Sequence, residues 1–199
     1  MPVIIAQMLL CAASALFLDA PAVGAVLGHA ACTVMCAVLM RRQAMTVKHQ
    51  KSMSALEMLL WIAASCVLCV LSTYALNATG LADADGAYES SEAVIEGASS
   101  LVRCILVIIA APISEELLYR GILYERTAQC FGELAGIAAS VLAFALSHGN
   151  MVQAIAACAS GALFTAAYRR SRTVILPVVM HSAFNACSMF AAPVLFRFF

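Results

Sequence analysis

The sequence predicts an all-α fold, a polytopic membrane helix bundle with about seven transmembrane helices (six to eight). Of its 199 residues, 64% are hydrophobic and only 11% are charged, and soluble domains carry roughly twice that share of charge. Apolar stretches also recur along the chain at close to the roughly 20 residues that a helix needs to cross a bilayer. We therefore expect one integral membrane domain.

The apolar stretches and the polar breaks between them define the predicted helices in order. The first stretch lacks the basic start of a signal peptide, and a second follows almost at once, so we expect a transmembrane helix there. The breaks read "LDAP", "RRQAMTVKHQKS", "NATGLADADGAYESSEAVIEG", "ERTAQCFGE", "HGN" and "RRSR". The predicted spans are 3–18, 22–40, 55–77, 100–119, 134–148, 152–168 and 173–195.

Nine of the eleven basic residues fall on one side of these spans, which by the positive-inside rule is the cytoplasm. On that side lie Arg41, Arg42, Lys48, Lys51, Arg120, Arg126, Arg169, Arg170 and Arg172, whereas Arg103 and Arg197 lie toward the other face. The acidic loop lies outside, with Asp83, Asp85, Glu89, Glu92 and Glu96. We therefore predict a multi-pass protein of the cell membrane, with the N-terminus cytoplasmic and the C-terminus outside. The small size favours a bacterial source.

Charge and cysteines restrict the function further. The net charge is zero, so nothing favours nucleic acid as a partner, and lipid is the expected surrounding. The nine cysteines are scattered through apolar stretches and are predicted to pack as small hydrophobic residues. Cys66 and Cys69 lack the second pair that a structural zinc site would need.

A few ionisable side chains remain inside the predicted spans, where such residues usually mark a function. They are His29, Glu115, Glu116, Arg120, His148 and His181. His29 stands alone between glycine and alanine, and we interpret it as a tie between helices. The spacing of the other side chains indicates a site.

The stretch "EELLYR" separates two roles. Glu116 and Arg120 are four residues apart and share a helix face, so we expect a charge pair, because either group alone would be costly in lipid. Adjacent helical residues point about 100° apart, so Glu115 faces another surface. Glu115 is therefore free to act as a general base.

Two further stretches, "FALSH" and "HSAFN", complete the set. His148 ends a predicted span, where it could hold a water together with Glu115. His181 and Asn185 are four apart on one helix face, and two convergent donors suit an oxyanion. Together these residues indicate a hydrolase that uses activated water and forms no covalent intermediate.

The three motifs Glu-Glu-x-x-x-Arg, Phe-x-x-x-His and His-x-x-x-Asn resemble those of the CPBP family, also called Abi, of intramembrane proteases. The family includes the type II CAAX prenyl endopeptidases. The resemblance covers roughly residues 100–190. We divide the chain into residues 1–99, transmembrane helices without a recognised motif, and a catalytic core at residues 100–199. The resemblance implies that Glu115 activates water with His148, that His181 and Asn185 stabilise the oxyanion, and that Glu116 and Arg120 shape the site.

The resemblance leaves the metal question open, because the family has been described both as metalloproteases and as glutamate peptidases. Glu115, His148 and His181 could form a three-ligand zinc site. The chain has no His-Glu-x-x-His motif, and a zinc site would still need a separate base, while Glu116 is already matched to Arg120. We therefore expect no cofactor, with zinc on those residues as the alternative.

Other functions compete with an endopeptidase. The same family includes non-catalytic or immunity-type membrane scaffolds, although the intact motifs count against a purely structural role. A proton-coupled transporter would also place glutamate and histidine in the membrane, but no internal repeat indicates one. As a protease, the chain would act on a peptide or protein, either a prenylated CAAX tail or a bacterial membrane protein or peptide precursor. We expect the site to open toward the cytoplasm.

Overall fold

The computed structural model describes residues 21–42 and 52–191, and all regular secondary structure in these two ranges is helical. The predicted all-α class is therefore confirmed for this part of the chain. The predicted first span, 3–18, lies outside the described residues, as do Lys48, Lys51 and Arg197. The helices are α1 (Pro21–Arg42), α2 (Ala55–Ala78), α3 (Leu81–Ala84), α4 (Gly86–Glu96), α5 (Ser100–Cys104), α6 (Ala111–Glu116), α7 (Glu125–Phe131), α8 (Glu133–Leu146), α9 (Met151–Ser171) and α10 (Ile175–Ala186), with π-helical segments at Ile105–Ala110, Leu117–Tyr124 and Cys187–Ala191.

Three of the described helices, α1, α2 and α9, are long and apolar enough to cross a membrane. Helix α8 and the segment Ile175–Ala191 are shorter apolar helices. The chain is therefore a multi-pass membrane protein, while the total number of spans stays a prediction. Helix α8 has 14 residues, or about 21 Å of rise, so it is short for a membrane span.

Residues 100–131 form one uninterrupted helical path, which we call the motif helix. The predicted span ended at residue 119 and was followed by the break "ERTAQCFGE". The helix continues past residue 119 to Phe131 and ends within that predicted break, at Gly132, whose φ of 90° suits glycine. Two π-helical segments flank α6, which contains Pro112 near its start. Proline lacks the N–H of a regular helix, and π turns often occur at functional positions.

The acidic loop after α2 also differs from the prediction, because part of it folds into α3 and α4. Asp85 begins α4, and its Oδ1 accepts hydrogen bonds from the N–H groups of Ala87 and Tyr88. Its Oδ2 accepts from Met151 and Val152 at the start of α9. One carboxylate thus caps two helices and fixes the loop against the turn that follows His148.

The helices pack around two apolar clusters. One lies between α1, the motif helix and α8, and includes Cys32, Leu118 and Phe144. The other lies between α9 and α10 and includes Phe164 and Met180. Gly136 of α8 lets this helix approach the motif helix closely, since a Cβ there would stand 2.8 Å from the Cβ of Ala128. This packing brings the three sequence motifs onto neighbouring helices.

Candidate active site

Arg120 of the motif helix is completely buried and is bound on several sides. Its Nη1 donates to Glu116 Oε1 at 2.8 Å, which confirms the predicted pair. Its Nη2 donates to the carbonyl of Gly161 at 2.9 Å, and its Nε donates to Thr165 Oγ1 at 3.4 Å. The guanidinium carbon lies 4.6 Å from the ring centre of Phe144. Helices α8 and α9 thus hold this charge in a fixed position.

Glu116 does more than pair with Arg120. Its Oε1 also lies 3.0 Å from His181 Nδ1 of α10, a contact that the sequence did not predict. A carboxylate only accepts hydrogen bonds, so Nδ1 carries the hydrogen. The His181 ring is further stacked on Phe164 at 5.1 Å between ring centres. Glu116 therefore orients the imidazole of His181, and Arg120 offsets the negative charge of Glu116.

Glu115 lies on the other side of the same imidazole. Its Oε2 stands 3.8 Å from His181 Nε2, an ion-pair distance rather than a hydrogen bond. Its side chain is 15% exposed, whereas Glu116 is completely buried. Adjacent glutamates thus face the two nitrogens of one ring, and the accessible one is Glu115, the residue predicted to be the base.

His148 follows α8 and contacts the ring of Phe144, which also contacts His181. Its Nδ1 is 2.9 Å from the carbonyl of Phe144 and donates to it, because a carbonyl only accepts. The Phe144 ring meets His148 edge-on at 5.0 Å and His181 at 5.5 Å. One phenyl ring thus contacts both histidines. Within the described ranges, no hydrogen bond joins His148 to Glu115, so their shared role in holding water stays a prediction.

Asn185 lies one turn after His181 on α10. Its Nδ2 donates to the carbonyl of Val107 in the motif helix at 2.8 Å. The amide nitrogen carries two hydrogens, so one remains for a ligand. Asn185 therefore joins α10 to the motif helix, and its role as an oxyanion donor stays a prediction.

The predicted alternative, a zinc site, needs three ligands close together in residues 21–42 and 52–191. No group of three or more His, Cys, Asp or Glu side chains there is arranged to hold a metal ion. Glu115 faces His181, while the ring of Phe144 contacts both His181 and His148. The described geometry therefore does not fit zinc on these three residues, and whether the protein uses a metal stays a prediction.

Sequence reasoning missed the residues that support the motifs. Gly161 and Thr165 bind Arg120 from α9, and in the sequence they read only as small residues of a span. His29 of α1 lies 2.6 Å from Ser114, the residue before Glu115. It does tie two helices, as predicted, but its position next to the glutamates was not foreseen. Such contacts depend on how the helices pack, which spacing along one helix does not reveal.

Gly161 provides a test of this packing. A Cβ at Gly161 would stand 2.9 Å from Phe144 Cδ1 and 3.2 Å from Arg120 Nη2. Gly161→Ala should lower the stability by about 1–3 kcal/mol through overpacking, measured as a lower melting temperature in detergent. The matched control is Gly86→Ala, because nothing lies within 4 Å of a Cβ there. Equal melting temperatures for the two variants would contradict the packing of Arg120 against α9.

Comparisons with known proteins agree with the motifs. The family model described as "Type II CAAX prenyl endopeptidase Rce1-like" matches residues 97–187, slightly less than half of the chain. The matched segment contains all three sequence motifs. No curated protein and no solved structure gave a match. The predicted resemblance is therefore confirmed over this segment.

Proposed function

We propose that this chain is an intramembrane endopeptidase that hydrolyses peptide bonds with water activated by Glu115. The match of residues 97–187 to the model of Rce1-like type II CAAX prenyl endopeptidases supports the peptidase activity. The observation that carries the mechanism is the position of Glu115. It is the more accessible of the two glutamates, and it faces a histidine that is already held by Glu116, which is itself paired with Arg120.

The reaction starts with a water molecule beside Glu115. The Glu115 carboxylate accepts one proton from this water, and the water oxygen attacks the peptide carbonyl. The carbonyl oxygen becomes an oxyanion, which hydrogen-bond donors must stabilise. When the tetrahedral intermediate collapses, Glu115 returns the proton to the leaving nitrogen. The products are a new carboxylate and a new amine, and no covalent enzyme intermediate forms.

His181 and Asn185 are the proposed donors to the oxyanion. Nδ1 of His181 already donates to Glu116, so Nε2 donates only when the ring is an imidazolium. The two glutamates then lie one on each side of that charge. Asn185 contributes its second amide hydrogen. His148, held through its Nδ1 to the backbone, keeps Nε2 available to orient the water.

The substrate class follows from the family and from the bilayer. Prenylated CAAX tails carry a lipid that partitions into the membrane, and bacterial membrane proteins or peptide precursors reach the same depth without one. We propose that the protein cleaves a membrane-anchored peptide of one of these kinds. The test compares new peptide termini in membranes that contain the wild-type chain or Glu115→Gln. Termini that appear only with the wild-type chain support the proposal, and identical sets from the two membranes would contradict it.

We propose that catalysis needs no metal, because the described residues contain no group of three His, Cys, Asp or Glu side chains placed to hold a metal ion. Purified enzyme should retain its activity after treatment with a membrane-permeant chelator. Elemental analysis should give zinc well below one atom per chain. Loss of activity on chelation, restored by zinc alone, would reverse this assignment.

We further propose that the site opens toward the cytoplasm. The distribution of basic residues supports this proposal, because it favours a cytoplasmic position for the end of the motif helix and the start of α10. Single cysteines beside Glu115, in a background without native cysteines, should react with an impermeant thiol reagent from the cytoplasmic face of oriented vesicles. As a control, a single cysteine introduced on α4 in the same background should react only from the outer face. Labelling of the site from the outer face alone would contradict the proposed topology.

A further inference from the structure

His29 of α1 lies outside the segment that matches the protease family, yet it contacts the site. Its Nδ1 stands 2.6 Å from Ser114 Oγ, and Ser114 is completely buried. Cys32 and Cys36 lie about one and two turns after His29 on α1, and both are also completely buried. The position of His29 is therefore set by packing on both sides of the contact.

The direction of this hydrogen bond can be assigned from its neighbours. Ser114 Oγ can donate its single hydrogen to the carbonyl of Ala111, which lies at 3.1 Å. In that arrangement His29 Nδ1 is the donor to Ser114 Oγ, and this is the tautomer that we assign to His29. The imidazole thus holds the turn of the motif helix from which the next residue, Glu115, projects.

The contact joins His29 to the helical turn that carries the proposed base. Glu115 has a histidine from α10 at 3.8 Å, and Ser114, the residue directly before Glu115, contacts a second histidine, from α1. A residue that served only to join two lipid-facing helices would not need to lie beside the proposed base.

We propose that His29 is a positioning residue of the active site, which aims the Glu115 carboxylate by holding Ser114 through Nδ1. The inference rests on the proposed peptidase function, and it gives the N-terminal helices a role in the reaction. A displacement of a reacting group by about 1 Å can cost on the order of 10²-fold in rate. Loss of the His29 hydrogen bond should therefore lower kcat by up to about that factor and leave KM nearly unchanged.

The test measures kcat and KM for His29→Phe, His29→Asn and Ser114→Ala. The phenyl ring fills the space without a donor, so His29→Phe should show the loss in kcat. An asparagine places an amide nitrogen near the position of Nδ1, so His29→Asn should recover most of the turnover. Ser114→Ala should resemble His29→Phe, and the double variant should fall no further than either single variant.

The control is Thr33→Val, one turn along the same helix, which removes only the bond from Thr33 Oγ1 to the His29 carbonyl. It should leave kcat unchanged. Wild-type turnover in His29→Phe would overturn the proposal. So would a folded His29→Asn as impaired as His29→Phe, or additive losses in the double variant.

A second measurement separates this inference from the peptidase function. Nitrogen NMR of histidine-labelled protein in lipid nanodiscs reports which ring nitrogen of His29 carries hydrogen, with the signal assigned by its loss in His29→Phe. We expect hydrogen on Nδ1, and a signal that moves in both Ser114→Ala and Glu115→Gln. A wild-type chain that cleaves nothing would remove the proposed function, whereas the spectra would still test the contacts. Hydrogen on Nε2 alone, or a signal unaffected by either variant, would overturn the role of His29.

Discussion

Glu115→Gln should reduce peptide-bond cleavage by a factor of about 10²–10⁴, the usual contribution of a general base. Glutamine has nearly the same shape as glutamate but cannot accept the proton of the attacking water. Because Glu115 is not the partner of Arg120, the fold should survive. The measurement is turnover of the purified variant in lipid nanodiscs, together with its melting temperature.

The matched control for this variant is Glu89→Gln, which removes one exposed carboxylate from α4. It should retain full turnover. Glu115→Gln with wild-type turnover would show that another group activates the water. A variant that fails to fold would instead indicate that Glu115 stabilises the bundle, contrary to the division of roles between the two glutamates.

Glu116→Ala should lower the stability by about 3–5 kcal/mol, because it leaves the buried Arg120 guanidinium without its carboxylate. Both side chains are completely inaccessible, and their ion pair measures 2.8 Å. Adding Arg120→Met should restore much of the stability, since a buried pair can often be replaced by apolar side chains. Thermal unfolding in detergent measures both effects.

Activity should not return in the same double variant. Glu116 also accepts the hydrogen of His181 Nδ1, so without it the imidazole loses its orienting partner. We therefore expect a stable but inactive protein. If the Glu116→Ala single variant is as stable as wild type, the ion pair does not hold the bundle. If the stabilised double variant is fully active, Glu116 does not orient His181.

The sequence predicted correctly which residues lie on the same face of a single helix. The i and i+4 spacing of Glu116 and Arg120 predicted their pair, and the same spacing placed His181 and Asn185 on consecutive turns of α10. The apolar stretches located α1, α2 and α9, because length and hydropathy are properties of each segment alone. The fold class followed from the same features.

Contacts between helices were beyond such reasoning. Spacing indicated that Glu115 and Glu116 face different surfaces, but not that His181 would stand between them. The helical course from residue 120 to Phe131 was not predicted, since the charged residues after the predicted span resembled a loop. Glu125 in this stretch has partners on other segments, because it accepts a hydrogen bond from Tyr168 of α9 and forms an ion pair with Arg172, which follows α9. Tertiary packing, rather than local preference, decides such cases.

The most direct test of the account is hydrolysis by the purified wild-type chain of the peptide found by the comparison of membrane termini. The reaction is run in ¹⁸O-labelled water, with Glu115→Gln in parallel, and the products are weighed by mass spectrometry. We predict one labelled oxygen in the new carboxyl terminus for each bond cleaved, and product formation by Glu115→Gln that is slower by a factor of about 10²–10⁴. Cleavage that is absent with the purified wild-type chain, or equal in the two proteins, would contradict the claim that this chain is a peptidase whose base is Glu115.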